Sequence, residues 1–237
     1  MSPKKPPTKF KNRLLAAMSA DDRALIQPRL EPVALERRKT IEIANRKIES
    51  VYFPERGMLS VVGGGSKPKR EVEVGIIGYE GTSALSVILG DDRSPHQTFV
   101  QVAGDGHRMP SAVLRSAMVK SATLQALLLK YAQAFTVQST NTAIANARGT
   151  IEERLARWVL MAQDRVDGKE LPLTHEFLSL MLAVRRPGVT EALHALTQRG
   201  LIKHERGVIV VIDREGLTER ANGLYGVPEA EYKRLLG

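Results

Sequence analysis

The residues most suited to chemistry in this sequence are polar side chains grouped around two adjacent arginines in its C-terminal third. Arg185 and Arg186 precede Pro187, and proline suits the first turn of a helix because its missing N–H would be unpaired there. An arginine at the start of such a helix can bond the O6 and N7 acceptors of guanine. Glu191, further along, can accept a hydrogen bond from the N4 amine of cytosine. This pattern is typical of a helix that reads base edges in double-stranded DNA.

Different contacts are expected from different members of this group. The two arginines are expected to make the main polar contacts, and Thr190 and Glu191 are expected to refine the choice of base. Thr174 and His175 open the preceding helix and are expected to touch phosphates, which position a protein without specifying sequence. The alternative is that the arginine pair only solvates a helix end. The candidate DNA-binding residues are Thr174, His175, Arg185, Arg186, Thr190, Glu191, His194 and Arg206.

Two short helices and a hairpin are predicted to position these side chains. Thr174 is a suitable N-cap for the first helix, and Ala183-Val184 forms a tight connection to the second, which ends at Gly200. The apolar face of the second helix consists of Val189, Ala192, Leu193 and Leu196. Two apolar runs then flank Arg206-Gly207, which is typical of a β-hairpin tip. A helix pair followed by a hairpin indicates a winged helix-turn-helix.

The composition excludes several other kinds of site. The 237 residues include no cysteine, which excludes disulfides, thiolate-held metal or iron–sulfur centres and cysteine nucleophiles. Neither a Walker motif, a metal-ligand helix motif nor a nucleophile elbow occurs, so we predict no enzyme, no metal and no cofactor. The net charge of +9 suits a nucleic-acid partner. The excess of positive charge lies in residues 1–50, however, which hold 12 basic residues (Lys and Arg) against 6 acidic ones (Asp and Glu). Residues 151–237 hold 13 basic and 13 acidic residues.

Hydropathy and composition also suggest where the protein resides and how it is divided. No apolar run reaches the ~18 residues of a membrane span, and the charged N-terminus is not followed by the apolar core of a signal peptide. We therefore expect a cytoplasmic protein without membrane contact. The predicted parts are a disordered basic arm at 1–12, a β-roll sensor domain at 13–110, a dimerisation helix region at 111–148 and a winged helix-turn-helix DNA-binding domain at 149–237. The predicted fold class is α+β.

The N-terminal half is predicted to be a small β-roll or barrel. Several of its apolar runs alternate with polar residues at period two, and glycine turns separate them. The runs are Thr40–Ala44, Ile48–Phe53, Met58–Val62, Glu71–Ile77 and Thr98–Val102. Gly63–Lys69 predicts a hairpin tip, and Gly104-Asp105-Gly106 predicts a turn.

A long helix is predicted from about Ser121 to Asn146, where glycine disappears and a stripe recurs at alternating steps of four and three. A helix of ~26 residues is ~39 Å long and outreaches a small roll, so a second copy of the chain is the expected partner. The predicted dimer seam is Leu124, Leu128, Tyr131 and Phe135. The alternative is that this stripe packs on the β-roll. The helix breaks before Gly149, and Thr150-Ile-Glu-Glu153 forms the capping box of a further helix.

The order of these parts, with four specific segments, resembles the Crp/Fnr family of transcription regulators over residues 13–225. The segments are Val51-Tyr-Phe-Pro54, Val74-Gly-Ile-Ile-Gly-Tyr-Glu-Gly81, Glu153-Arg-Leu-Ala-Arg-Trp158 and the helix-turn-helix with its wing. The resemblance implies a cyclic-nucleotide-binding-like double-stranded β-roll, a long dimerisation helix and a homodimer on a two-fold operator. It also implies double-stranded DNA as the partner, with RNA polymerase as a further candidate.

The effector pocket implied by the resemblance departs from the family pattern. The family binds the ribose through a Gly-Glu pair and the cyclic phosphate through an Arg followed by a small hydroxyl residue. The phosphate position falls here at His96-Gln97, with Arg93 as a nearby substitute. Because a mostly neutral histidine is a poor partner for a phosphate, we expect no cyclic-AMP dependence. The candidate pocket residues are Gly78, Glu80, Gly81, Arg93, His96 and Gln97.

Other family features are also altered. Without cysteine, the iron–sulfur mechanism of the oxygen-sensing branch is excluded. The usual Glu and Arg of the recognition helix are replaced by Pro187 and Glu191, so DNA binding is expected but not the family's common operator. A remaining alternative is a cyclic-nucleotide module that controls a protein partner, and the predicted wing argues against it.

Overall fold

The structure, a computed structural model, describes residues 9–64 and 71–237. The helices are α1 (Arg13–Ala17), α2 (Ala20–Ile26), a 3-10 turn (Gln27–Arg29), α3 (Leu85–Ile88), α4 (Ser111–Lys120), α5 (Ala122–Arg148), α6 (Ile151–Gln163), α7 (His175–Met181), α8 (Arg186–Gln198), α9 (Arg214–Arg220) and α10 (Val227–Leu236). The strands are β1 (Glu31–Leu35), β2 (Thr40–Glu42), β3 (Ser50–Gly63), β4 (Val72–Ile77), β5 (Gln97–Pro110), β6 (Glu170–Pro172), β7 (Ile202–Glu205) and β8 (Val208–Val211). This mixture of antiparallel sheet, long helix and C-terminal helix-turn-helix confirms the predicted α+β class.

The disordered arm predicted at 1–12 can be compared with the structure only at residues 9–12. Residues 1–8 lie outside the described residues, as do positions 65–69 of the predicted hairpin tip. For its last residues the prediction is wrong, because Phe10 and Asn12 are buried. The Asn12 side-chain amide donates to Pro54 O at 2.9 Å and to Gly81 O at 2.8 Å. These bonds compensate the burial of a polar group and attach the start of the chain to the sheet.

The chain divides into two compact units, which we describe separately. The first comprises residues 1–60, 77–133 and 235–237, and the second comprises residues 61–76 and 134–234. The predicted boundary near 148 coincides with the end of α5, but the division between the units falls inside that helix.

The larger sheet has the order β1-β5-β3-β4, with β2 also paired to β5. The pairs of β5 with β1 and with β2 are antiparallel. Two predicted runs, Ile48–Phe53 and Met58–Val62, fall largely within the single strand β3. Gly57 lies between them with φ of 83°, and a Cβ there would lie 2.5 Å from Val102 O. Only glycine allows both the positive φ and the close approach of β5 at this point.

The turn predicted at Gly104-Asp105-Gly106 is wrong, because these residues lie inside β5. Gly104 pairs with Leu35 of β1. A Cβ at Gly104 would lie 2.1 Å from Arg56 O, and one at Gly106 would lie 2.3 Å from the Phe53 carbonyl oxygen. The two glycines therefore serve a close contact between backbones rather than a change of direction.

The inner face of α5 corrects the predicted dimer seam. Leu124, Leu128 and Tyr131 are at most 2% exposed within the single chain. The Tyr131 hydroxyl donates to Thr82 O at 3.0 Å within the first unit. The alternative interpretation, in which this stripe packs on the chain's own sheet region, accounts for these three residues.

The fourth predicted seam residue, Phe135, lies in the second unit and is half-buried. A Cβ at Gly75 would lie 2.6 Å from its ring. Phe135 therefore also packs within the chain, against the segment that contains β4. No single described helix is long and apolar enough to cross a membrane, although α4 and α5, bent by 120° at their junction, pass that test as a pair.

The second unit is assembled around α6. Its predicted capping box is confirmed, because the Glu153 N–H donates to Thr150 Oγ1 at 3.3 Å and the Thr150 N–H donates to Glu153 Oε2 at 2.8 Å. Later on the same helix, the indole N–H of Trp158 donates to the buried Glu73 carboxylate at 2.5 Å. A small sheet of order β6-β8-β7 completes the unit. Helices α8 and α9 pack directly on α6, so this helix is their platform.

The contact between Gly81 and Tyr131 generates a stability prediction. A Cβ at Gly81 would lie 2.3 Å from the Tyr131 hydroxyl oxygen, so Gly81→Ala must displace a buried ring. We expect this variant to lose about 1–3 kcal/mol of unfolding free energy. In a Tyr131→Ala background the same substitution should cost much less, because the ring is gone. Urea unfolding of the four proteins of this cycle measures the coupling, and equal costs in both backgrounds would show that the ring is not the cause.

Candidate nucleic-acid interface

Helix α7 begins with a side-chain cap, as the sequence predicted. Thr174 has extended backbone, and its hydroxyl oxygen accepts from the Phe177 N–H at 3.4 Å. The helix ends at Met181, and Ala183 adopts a φ of 50° in the connection. A positive φ is uncommon for a residue with a Cβ, and here it allows the chain to turn sharply into α8. The Arg154 guanidinium of α6 donates to Leu182 O in this same turn.

Helix α8 separates its residues into the two predicted faces. The buried residues are Val189, Ala192, Leu193 and Leu196. The exposed residues at its N-terminal end and along its outer face are Arg185, Arg186, Pro187, Thr190, Glu191 and His194. Arg185 is the N-cap, with no side-chain capping bond, and Pro187 lies in the first turn. The N-terminal half of α8 thus presents a polar, exposed surface.

The predicted hairpin tip is confirmed at Arg206 and Gly207, which join β7 to β8. Their φ angles are 50° and 78°, and two consecutive positive values are typical of a type I′ turn. A Cβ at Gly207 would lie 3.7 Å from the Thr174 methyl carbon. The exposed Arg206 therefore lies at a tip that adjoins the beginning of α7, so the structure brings the wing and Thr174 together.

The two arginines at the start of α8 differ in their surroundings. An Arg186 nitrogen lies 3.7 Å from Glu176 Oε1, and both side chains are about two-thirds exposed. Such an exposed pair contributes little stability, so the guanidinium remains available to another anion. Arg185 forms no ion pair with any residue in the described ranges. Sequence reasoning did not identify Glu176 as the partner of Arg186, because its position in the first turn of α7 gave no direct signal of this contact.

A histidine pair connects α7, α8 and the wing. His175 Nδ1 lies 3.2 Å from Thr190 Oγ1, and its ring centroid lies 5.0 Å from that of His204 on β7. Burial, and then the nearby His175, lowers the pKa of His204. Sequence reasoning missed His204, because its relation to His175 depends on how the hairpin folds back.

The candidate effector residues do not form the phosphate site of the family pattern. Glu80 is buried, and its carboxylate accepts from the Gly78 N–H at 3.0 Å in its own loop. Arg93, the proposed substitute cation, is 65% exposed, and its Nε lies 3.5 Å from Asp92 Oδ1. It is therefore a surface residue rather than a buried partner for an anion. Gly81 lies against the Tyr131 ring, which fills the space beside it.

The remaining pocket candidates lie at the start of β5. The His96 N–H donates to Ser94 Oγ at 3.1 Å, and Gln97 is the first residue of the strand. Sequence reasoning missed the buried carboxylate of this region, Glu42, which accepts from the Ala84 N–H at 2.6 Å and from Thr98 at 3.2 Å. Burial raises the pKa of Glu42. In the predicted run Thr40–Ala44, the buried residue of β2 is the polar Glu42, whereas Ile43 is 60% exposed. The period-two alternation of this run therefore indicated the wrong face as the buried one.

Comparison with known proteins agrees with this geometry. Residues 153–220 match the family model of the Crp-like helix-turn-helix domain. No curated protein matched the sequence. Solved structures do match, and one is a transcriptional regulator assigned to the Crp/Fnr family from Eubacterium rectale, with 18% identity, 87% of this chain and 96% of that chain covered, and a TM-score of 0.68. The chain therefore contains a Crp-like helix-turn-helix domain and shares the fold of a Crp/Fnr regulator.

Two further solved structures share this fold. FixK2 from Bradyrhizobium japonicum has 14% identity, with 84% of this chain and 98% of that chain covered and a TM-score of 0.67. The c-di-GMP-responsive regulator CLP from Xanthomonas campestris has 14% identity, with 81% and 99% covered and a TM-score of 0.63. At such low identity these likenesses describe the fold. The matched helix-turn-helix domain contains α7, α8 and the wing, and it identifies a regulator rather than an enzyme.

The pair of His175 and His204 generates a pH prediction. The folded-state pKa of His204 is lowered from a value near 6.5, so the folded protein binds fewer protons there than the unfolded chain. Its contribution to stability is therefore present above that value and is lost as pH falls through it. Unfolding followed by the fluorescence of Trp158, the single tryptophan, should show a shallower pH dependence between neutral and mildly acidic pH for His204→Gln. Lys203→Gln, the control, should keep the parent slope, and equal slopes for His204→Gln and the parent would contradict the assignment.

Proposed function

We propose that the protein is a homodimer that binds a two-fold DNA operator through α8 and the wing of each copy. The observation that carries this proposal is the exposed N-terminal face of α8, where two arginines lie on one surface with Thr190 and Glu191. Such an end enters the major groove in helix-turn-helix proteins, and arginine suits the acceptors of guanine there. Arg206 at the wing tip adds a cation that can reach the flanking phosphates.

The polar residues are proposed to make different kinds of contact with DNA. Arg185 has neither a capping bond nor an ion pair in the described part of the chain, so its guanidinium is free to read a base. Glu191 is exposed and, lying near phosphates, costs affinity unless it accepts from a base amine. The hydroxyl oxygen of Thr174 accepts from the Phe177 N–H as a helix cap, so its hydrogen remains available for a phosphate oxygen.

We expect Arg185→Ala and Arg186→Ala to weaken operator binding, and to different degrees for each base. Loss of a base-reading arginine should cost about 1–3 kcal/mol and relax specificity at one base pair per half-site, whereas loss of a phosphate contact weakens all sequences and lowers the salt slope by about one. Titrations of a selected operator and its single-base variants at two salt concentrations separate these outcomes. Lys120→Ala, which removes an exposed charge from α4, is the control. If neither arginine variant loses affinity, α8 is not the reading helix.

Cyclic AMP is not proposed as the effector. Its phosphate would need a sheltered cation, and Arg93 is exposed and beside Asp92. The same titrations with cyclic AMP added should therefore give unchanged operator affinity, and a clear increase would contradict this part of the proposal. We place the protein in the cytoplasm, where an operator is accessible.

The dimer seam is proposed on the outer face of α5 instead of the inner one. A second stripe at steps of four and three is exposed along the helix: Ala122, Ala126, Leu129, Gln133, Thr136, Thr140, Ala143 and Ala147. It is uncharged and mostly small, and Ile144 beside it is 46% exposed. The only charged residues of α5 are Lys130 and Arg148. A long helix face with so little charge suits close packing against a second copy of the same helix.

The outer stripe generates a prediction about assembly. Leu129 is 43% exposed in the single chain, so Leu129→Glu should leave the fold intact but introduce two facing charges at a dimer seam. We expect at least a tenfold weaker dimer, which corresponds to about 1.4 kcal/mol. Sedimentation equilibrium measures it, and Lys130→Glu, about 100° around the helix, is the matched control. A monomeric parent at micromolar concentration would refute the dimer, and an unaffected Leu129→Glu dimer would refute this seam.

A further inference from the structure

Thr190 is exposed on the reading face of α8, yet its hydroxyl is already bonded within the protein. Thr190 Oγ1 lies 3.1 Å from Arg186 O and 3.2 Å from His175 Nδ1. A threonine hydroxyl has a single hydrogen to donate. In one assignment this hydrogen goes to the Arg186 carbonyl and the oxygen accepts from His175 Nδ1–H; in the other it goes to His175 Nδ1. In both cases the hydrogen is used inside the protein.

The chemistry left to Thr190 at a DNA surface is therefore limited. Without a free hydrogen, the hydroxyl cannot donate to the acceptors of the major groove, which are guanine N7 and O6, adenine N7 and thymine O4. The other branch of this exposed side chain is a methyl group, which takes no part in these two bonds. The ring of His204 packs beside His175 and supports this arrangement from the wing.

Resting on the proposed function, we propose that the Thr190 methyl group recognises the C5-methyl group of a pyrimidine in each half-site. A threonine methyl in contact with the thymine methyl is a favourable apolar pair in the major groove. Thymine and 5-methylcytosine both carry this group, and thymine is its ordinary source in DNA. Thr190 then acts as a specificity-determining residue through its carbon branch, next to the charged contacts of Arg186 and Glu191.

The expected size of this contact follows from the burial of one methyl group. Burying a CH₂ or CH₃ is worth about 0.8 kcal/mol, or about a fourfold change in affinity for one half-site. Replacing thymine by uracil removes only the C5-methyl and leaves every hydrogen-bonding group unchanged. A uracil scan of the operator therefore measures this contact without altering the base-pairing pattern.

The experiment uses the full-length protein and an operator selected from random duplex DNA, with each thymine of both half-sites replaced by uracil in turn. We expect one symmetric position at which uracil weakens binding about fourfold per half-site. Thr190→Val keeps a methyl in place and should retain this sensitivity, whereas Thr190→Ser keeps the hydroxyl and should lose it. Replacing each cytosine of the half-sites by 5-methylcytosine in separate duplexes tests the second source of the methyl group, because this change also leaves the base pairing unaltered.

Thr197 provides the matched control, because its hydroxyl also bonds the carbonyl four residues earlier, at 2.8 Å, but near the C-terminal end of α8. Thr197→Val and Thr197→Ser should leave the uracil scan unchanged. Sensitivity that survives in Thr190→Ser but disappears in Thr190→Val would overturn the proposal, since the hydroxyl would then be the reader. An operator bound specifically, yet without any uracil-sensitive position, also overturns it while leaving the proposed function standing. Failure to select any operator overturns the proposed function itself.

Discussion

A buried guanidinium is the constraint on which the second unit depends. Arg157 of α6 is 4% exposed, and it donates to Leu224 O at 3.1 Å and to Thr142 Oγ1 at 3.1 Å. Burial lowers the pKa of Arg157, and the attraction of Glu229 and Glu73 opposes that shift. A buried charge is tolerated only where its donors are satisfied. The end of α5, the middle of α6 and the segment before α10 must therefore keep their relative positions.

Neighbouring polar contacts extend this constraint to the strand β4. Trp158 donates to Glu73, and the Gln138 side-chain amide accepts from the Ile76 N–H at 2.7 Å and donates to Ile76 O at 3.2 Å. The amide of Gln138 thus pairs both backbone groups of one strand residue, as an adjacent strand would. Arg154, one turn earlier on α6, donates to Leu182 O in the turn of the helix-turn-helix. Since α8 packs on α6, these contacts of α6 help to set the orientation of α8.

Hydrogen bonds inside the protein also limit which polar groups of the candidate interface remain available for a base. A hydroxyl that donates to a neighbouring carbonyl has no hydrogen left for a base, whereas a hydroxyl that caps a helix accepts and keeps its hydrogen. Thr190 is used in the first way and Thr174 in the second. Arg186 forms an exposed ion pair with Glu176. Arg185 is the N-cap of α8, and its side chain makes no capping bond. The candidate interface therefore combines exposed charged groups with hydroxyl side chains that are held by contacts among α7, α8 and the wing.

Local patterns in the sequence were sufficient to predict the helix-turn-helix, its wing and the capping box at Thr150, because each depends on residues close together in the chain. The glycines at 104 and 106 were misread as a turn, since their purpose is an approach of β3 that no local pattern records. The spacing of Leu124, Leu128 and Tyr131 indicated correctly that one face of α5 is buried. Whether that face meets the chain's own sheet region or a second copy is decided by tertiary packing, because heptad spacing describes a stripe and not its partner. The pairing of His175 with His204 and Thr190 was likewise decided only when the hairpin folded back beside α7, which places three distant residues within bonding or stacking distance.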